Sequence, residues 1–242
     1  MINSVRNTVL AILNKNNYGY ISPSDFNLFA KQAQLDIFDE YFITYNNQIN
    51  KENGRVSGTG YADAKKGTEE VIDYFSETSA LTQSSDNVYF LPSEITTGYD
   101  YYLINKVLCY SGGLLKGEAE KVTHSKITML NNSLLTKPSE TYPAYTQEAG
   151  LLTVYPETFN GVSDVKAQYI RYPKDPKWTY VTISNGDPIF NQSLSDYQDF
   201  ELPIEDENNL VARILQYAGI SIREGDAYAF GRNIEQQENQ ES

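Results

Sequence analysis

Apolar residues recur at helical spacing in two stretches near the start of the chain and one near its end. In the first, Val5, Val9, Ile12 and Leu13 repeat at three- and four-residue steps, as one face of an amphipathic helix does. The pattern breaks over 14–21. Ser22-Pro23-Ser24-Asp25 then reads as a helix start, with Ser22 as cap, Pro23 in the first turn and Asp25 at the capping-box position. Beyond it Phe26, Phe29, Ala30, Ala33, Ile37 and Tyr41 line one face. Leu28, Leu35, Phe38, Phe42, Tyr45 and Ile49 widen that apolar arc past half of the circumference. So wide an arc predicts contact on two sides, one within the chain and one with a neighbouring chain. At the far end Pro203 and the acids Glu205, Asp206 and Glu207 open another helix, where negative charge opposes the positive end of the helix dipole. Val211, Ile214, Leu215, Ala218 and Ile222 form its stripe, and Ala227, Phe230 and Ile234 continue it past a break at Gly225.

Between these helices the period changes. Residues 50–67 carry four glycines and mixed charge with almost nothing to bury, which predicts a long exposed loop. A short capped helix is expected over 68–75. From Asn87 onward strand-like runs appear over 88–92 and 101–110, with a turn at Ser111-Gly112-Gly113. Residues 119–130 fit a helix and a strand equally well. Leu151 to Tyr155 reads as a strand stopped by Pro156, Asn160-Gly161 as a turn, and Val165 to Tyr172 as the next strand, ended by Pro173. Those two strands are expected to pair antiparallel. Lys174 to Trp178 then leaves as an extended arm, kept out of helix by Pro173 and Pro176 and anchored by Trp178 in its own subunit or on a neighbour. Residues 181–199 read as a short strand and a loop.

The resulting expectation is an α+β protein in which N- and C-terminal helices form a bundle and an antiparallel β subdomain is inserted between them. Its parts are a helical region over 1–80 (with the loop 50–67), a β-rich subdomain over 81–200, a C-terminal helix over 201–235 packing on the helical region, and a disordered tail over 236–242.

Composition sharpens this picture in three ways. Twenty tyrosines and ten phenylalanines suit sheets and interfaces. A formal charge of −13 argues against broad gripping of nucleic-acid phosphates, though not against a surface that faces DNA and repels it. The one cysteine, Cys109, has no partner for an internal disulfide and reads as a buried thiol in a strand, which fits a reducing cytoplasm. Residues 1–13 lack the basic start and unbroken apolar run of a signal peptide, and no stretch approaches the ~20 apolar residues of a membrane span.

Candidate chemistry is sparse. Asn14 to Asp25 has the length and central glycine of an EF-hand loop, but its early ligand positions are Asn14, Asn16 and Tyr18, so an ordinary capped turn is expected. His124 has no second histidine or nearby cysteine to share a zinc ion or to form a nucleophile–base pair. Gly58-Thr59-Gly60 is too short for a phosphate loop, no Gly-x-Ser-x-Gly elbow occurs, and Glu205 to Glu207 are explained by helix capping. A glycosidase's carboxylate pair is defined by its spacing in the fold, and no acid here is marked as catalytic. The reading is therefore a non-enzymatic protein with no catalytic, metal or cofactor-binding residue. Its candidate functional residues are interface residues: Phe38, Phe42 and Tyr45 on the broad arc, and Tyr172, Pro173, Pro176 and Trp178 on the arm.

Three segments carry a resemblance: NKNNYGYISPSDFNLFAKQAQLDIFDEYF over 14–42, YPAYTQEAGLLTVYP with VKAQYIRYPKDPKW over 142–178, and LVARILQYAGISIREGD over 210–226. Together they resemble virion structural proteins of tailed bacteriophages, above all the head-to-tail adaptors, or neck ring proteins, of crAss-like podoviruses. The resemblance implies a homo-oligomeric ring, usually of twelve copies, that sits under the portal, meets other neck and tail proteins, and lets DNA pass during ejection without binding it specifically. It also implies a place in the neck or tail of the virion after assembly in the host cytoplasm, with no cofactor and no membrane. The alternative is a tail-fibre or receptor-binding module that recognises surface glycans through its tyrosines.

Overall fold

The computed structural model describes residues 1–15, 21–53, 61–183 and 186–222, which form a mixed α+β protein. Its elements, in order, are α1 (Ile2–Lys15), α2 (Pro23–Asn53), α3 (Tyr61–Tyr74), β1 (Ser76–Ala80), β2 (Gln83–Ser85), β3 (Val88–Phe90), α4 (Glu94–Thr97), β4 (Tyr101–Ser111), β5 (Leu114–Glu118), β6 (Glu120–Lys121), α5 (His124–Asn131), β7 (Ala144–Glu148), β8 (Leu151–Tyr155), β9 (Val165–Arg171), β10 (Tyr180–Thr182), β11 (Pro188–Phe190) and α6 (Glu207–Ile222). The chain divides into two compact units, one drawn from Met1–Val71 and Pro173–Ser242, the other formed by Ile72–Tyr172.

In the first unit α6 packs on α1 and α2. Burial follows the sequence periodicity: Val5, Val9 and Leu13 of α1, Phe26, Ala30, Ala33 and Ile37 of α2, and Leu210, Ile214, Leu215 and Ala218 of α6 are all buried. Each large apolar side chain so removed from water contributes about 1.5–3 kcal/mol. The start of α2 is capped as its sequence demands. Ser22 Oγ accepts from the Asp25 N–H at 3.2 Å and donates to the Asp25 carboxylate at 2.6 Å. Across the pair, Phe29 stacks on Tyr217 at 6.4 Å, Tyr41 donates to Asp206, Tyr217 donates to Asp36, and Arg213 pairs with Glu40.

Much of the loop expected over 50–67 is instead helical, since α2 runs to Asn53 and α3 begins at Tyr61. Gly67 and mixed charge lower helix propensity without forbidding the helix. Lys66 and Glu70, one turn apart at 4.0 Å, favour it. Residues 54–60, the core of the calcium-loop candidate at 16–20, the helix continuation past Gly225 and the tail 236–242 lie outside the described residues.

The second unit holds two sheets. One is antiparallel with strand order β1-β9-β4-β5; the other has order β2-β3-β8-β7-β6, antiparallel except for the parallel pair β6 and β7. Tyr89, Val107, Cys109, Leu152, Val154, Phe159, Val165, Ala167 and Tyr169 form their shared core. The expected pairing of 151–155 with 165–172 is therefore corrected: β8 lies between β3 and β7, whereas β9 lies between β1 and β4. The reason lies in β1, whose sequence SETSA shows no apolar alternation but pairs with β9 from Ser76↔Ile170 to Ala80↔Lys166. Because β1 and β9 open and close this unit and run side by side, its two chain ends emerge together. The tight turn of β7 and β8 needs Ala149 and Gly150 at φ 45° and 80°, the left-handed pair of a hairpin turn.

Two further boundaries differ from the sequence reading. The ambiguous 119–130 stretch splits into β6 and α5, the helix capped by Thr123. Residues 173–200, grouped with the β-rich part by sequence, belong to the first unit, where β10 and β11 form a two-stranded antiparallel ribbon. No helix among the described residues is long and apolar enough to cross a membrane.

Candidate functional site

The arm after Pro173 is laced to α2 by a polar stripe at helical spacing. Asn27 clamps Trp178 at both backbone groups, accepting from its N–H at 2.8 Å and donating to its carbonyl at 3.2 Å. One turn on, Lys31 pairs with Asp175 at 2.6 Å. One turn further, buried Gln34 donates to the Lys174 carbonyl at 2.7 Å and accepts from the Glu201 N–H at 3.0 Å. This chain's own arm thus meets α2 beside the face that meets α6, so both of these contacts lie within the chain.

Trp178 seats the arm. Only 2 % of it is exposed, its indole N–H donates to Asn3 Oδ1 at 3.0 Å, and the Arg6 guanidinium lies 3.8 Å from its ring. Tyr180 and Phe190, from β10 and β11, stack alongside at 5.6 and 5.8 Å. Near the same end Asp199 accepts from the Ile2 and Phe200 N–H groups at 2.7 and 2.9 Å and from the Met1 amino group at 3.0 Å. Burial works to raise the Asp199 pKa, but these donors hold it below the ordinary carboxylate value.

These contacts decide what the candidate interface residues can present. Phe38 is 0 % exposed and belongs to the interior of the first unit, so it offers no surface to a neighbour. Trp178, Pro173 and Pro176 are likewise buried within the chain. Spacing alone puts Phe38 on the arc, whereas Trp178 anchors the arm in its own subunit, one of the two placements expected for it. Phe42 is half-buried and sits edge-on to Phe38 at 5.0 Å, and half-buried Tyr45 donates to Glu69 at 3.2 Å. Tyr172, 37 % exposed, has its ring edge-on to Tyr102 at 5.2 Å.

Tyr172 and Tyr102 belong to a feature that the sequence did not flag. With Phe90, Leu91, Pro92 and Asp100 they line an open cleft of about 460 Å³ within the second unit. Asp100 is exposed, and its Oδ1 accepts from the Glu94 N–H at 2.9 Å. A second such feature is the segment after α5, where Leu134 and Leu135 are 98 % and 95 % exposed. The sequence signal there is faint, two leucines among turn formers in NNSLLTKP with no periodicity to mark them.

Among the described residues the titratable groups that depart from their ordinary values do so mainly through burial. Burial, with Asp164 nearby, pushes the Cys109 thiol up to about 12. His124 is exposed with Nε2 3.6 Å from Glu148. Among the described residues no group of three or more His, Cys, Asp or Glu side chains is placed to hold a metal ion. No known family model matches the chain, and comparison with curated proteins gave no match.

Proposed function

We propose that this chain is a structural virion protein that forms an oligomeric ring in the neck of a tailed phage, joins portal to tail and lets DNA pass. In this reading the N- and C-terminal helices form the bundle that meets the portal, and the β-rich unit between them is the inserted part that meets neighbouring copies or the next tail component. The observation that carries it is the display of large apolar side chains on the surface of the β-rich unit. Leu134, Leu135 and Ile95 stand almost wholly in solvent, and such groups concentrate where a partner covers them. The formal charge of −13 supports the channel role, because unneutralised phosphates slide past an acidic wall without sticking.

The test is the native mass of the purified protein, alone and mixed with the portal of its own phage. A ring-sized species alone or on the portal supports the proposal. A monomer that binds neither portal nor any neck or tail protein refutes it, and a glycan-binding trimer favours the tail-fibre alternative. Phe38→Asp is not a useful probe, since it places a charge in the core.

A further inference from the structure

We infer that Leu134 and Leu135 of one copy insert into the aromatic cleft of the next copy, making a head-to-tail contact between β-rich units. The inference rests on the ring reading for its setting and supplies the contact that joins the copies.

Both surfaces lie in the same unit, so their relative placement follows from one sheet. The cleft includes Gly150, which follows the C-terminal end of β7. His124, at the start of α5, stands 3.6 Å from Glu148 at that same end. Leu130, near the close of the helix, packs against the cluster of Val122, Ile127 and Ala144 that Tyr155 also joins, and Ala144 pairs with Tyr155 at the opposite end of the β7–β8 pair. Ser133 N–H donates to the Leu130 carbonyl at 3.1 Å, and exposed Leu134 and Leu135 follow that turn. Knob and hole therefore lie toward opposite ends of β7.

A patch at one end and its complement at the other can pair reciprocally across a two-fold axis or head to tail. The ring reading requires the head-to-tail form, a heterologous contact that repeats around a ring if the rotation closes. Size and chemistry fit. A cleft of about 460 Å³ walled by Phe90, Leu91, Tyr102 and Tyr172 is large enough for a pair of aliphatic side chains and offers them apolar ring faces. Charge is complementary as well. The knob segment 131–137 contains Lys137 and no acid, while the cleft carries exposed Asp100. On a chain this acidic, a local cation facing a local acid is what lets two copies approach through these surfaces rather than others.

The experiment uses two variants of the full chain, checked for native circular dichroism: a knob variant, Leu134→Asp with Leu135→Asp, and a cleft variant, Phe90→Asp. Sedimentation over a concentration series should show wild type associating and each variant weakened by about tenfold or more. Mixed in equal amounts, the two variants should form one-to-one pairs, because one intact knob still meets one intact cleft. As a milder probe, Asp100→Lys and Lys137→Glu should each weaken association, and the double variant should recover it. Wild type that stays monomeric at millimolar concentration, or a mixture that fails to pair, overturns the inference. Rings or portal complexes that survive both variants overturn this contact while leaving the ring reading intact. Pairing that follows the expected pattern without any closed ring or portal binding supports the contact and counts against the neck assignment.

Discussion

Replacing Trp178 with alanine is the sharpest test of how the arm is held. Truncating a buried tryptophan costs about 3–5 kcal/mol through lost burial and the cavity left behind. Here two further losses add to it. The Arg6 guanidinium, itself buried, gives up the ring face 3.8 Å away, worth about 1–2 kcal/mol when desolvated. Asn3 gives up the indole N–H, worth about 1 kcal/mol. The sum, about 5–8 kcal/mol, is comparable with the whole stability of an ordinary domain. Trp178→Phe keeps a ring over Arg6 and should cost only about 1–2 kcal/mol. Urea unfolding followed by far-ultraviolet circular dichroism reads both variants. In wild type the fluorescence of the only tryptophan reports the same site directly. A loss below about 2 kcal/mol for the alanine variant, with an unchanged denaturant slope, would mean that the arm is not held by its buried indole.

Three other expectations follow from single groups. Burial raises the Asp206 pKa above 3.8, with Glu205 adding to the rise and the Tyr41 hydrogen bond opposing it. The folded state therefore keeps a proton that the unfolded chain has released, and stability falls as pH rises through that window. Asp206→Asn should flatten this fall, and an unchanged pH profile of the urea midpoint would refute the account. Cys109, fully buried with its thiol pushed up to about 12, should resist a disulfide reagent at neutral pH in the native protein and react only once it unfolds; rapid native labelling would contradict its placement in the core. Gly117→Ala would put a Cβ 2.7 Å from the Thr141 carbonyl oxygen, a backbone atom that cannot move cheaply, and should cost about 1–3 kcal/mol by thermal melting. An unaltered melting temperature would show that β5 shifts freely.

The helices were legible because their signal is redundant. Val5, Val9 and Leu13, or Leu210, Ile214 and Ala218, repeat one face over several turns, and each ends up buried on it. Strands β8 and β9 were legible for the same reason, with alternating residues and prolines after them. Their partners were not, because pairing depends on residues far away in sequence and on polar strands such as SETSA that carry no pattern. That Phe38 and Trp178 are buried within the chain was illegible for a related reason. An apolar residue looks the same in sequence whether a neighbouring chain or the chain's own interior covers it. The clue lay in polar residues: Asn27, Lys31 and Gln34 share one face of α2 and hold the arm, yet polar stripes on helices are usually read as solvent-facing. The exposed pair Leu134 and Leu135 was missed because it belongs to no periodic element.

The side-by-side course of β1 and β9 has a consequence for how such a chain can change over evolutionary time. The excursion Ile72–Tyr172 leaves and returns through neighbouring strands joined by hydrogen bonds, up to Arg171 N–H on the Phe75 carbonyl at 3.0 Å. A segment whose feet are already fastened together asks little of the scaffold that carries it, since the gap it must bridge is the spacing of two adjacent strands, about 5 Å. Recombination that cuts at those feet can exchange the whole segment for another with the same footing. The helices left behind keep their junction, so one surface is free to diversify while the other is conserved in shape.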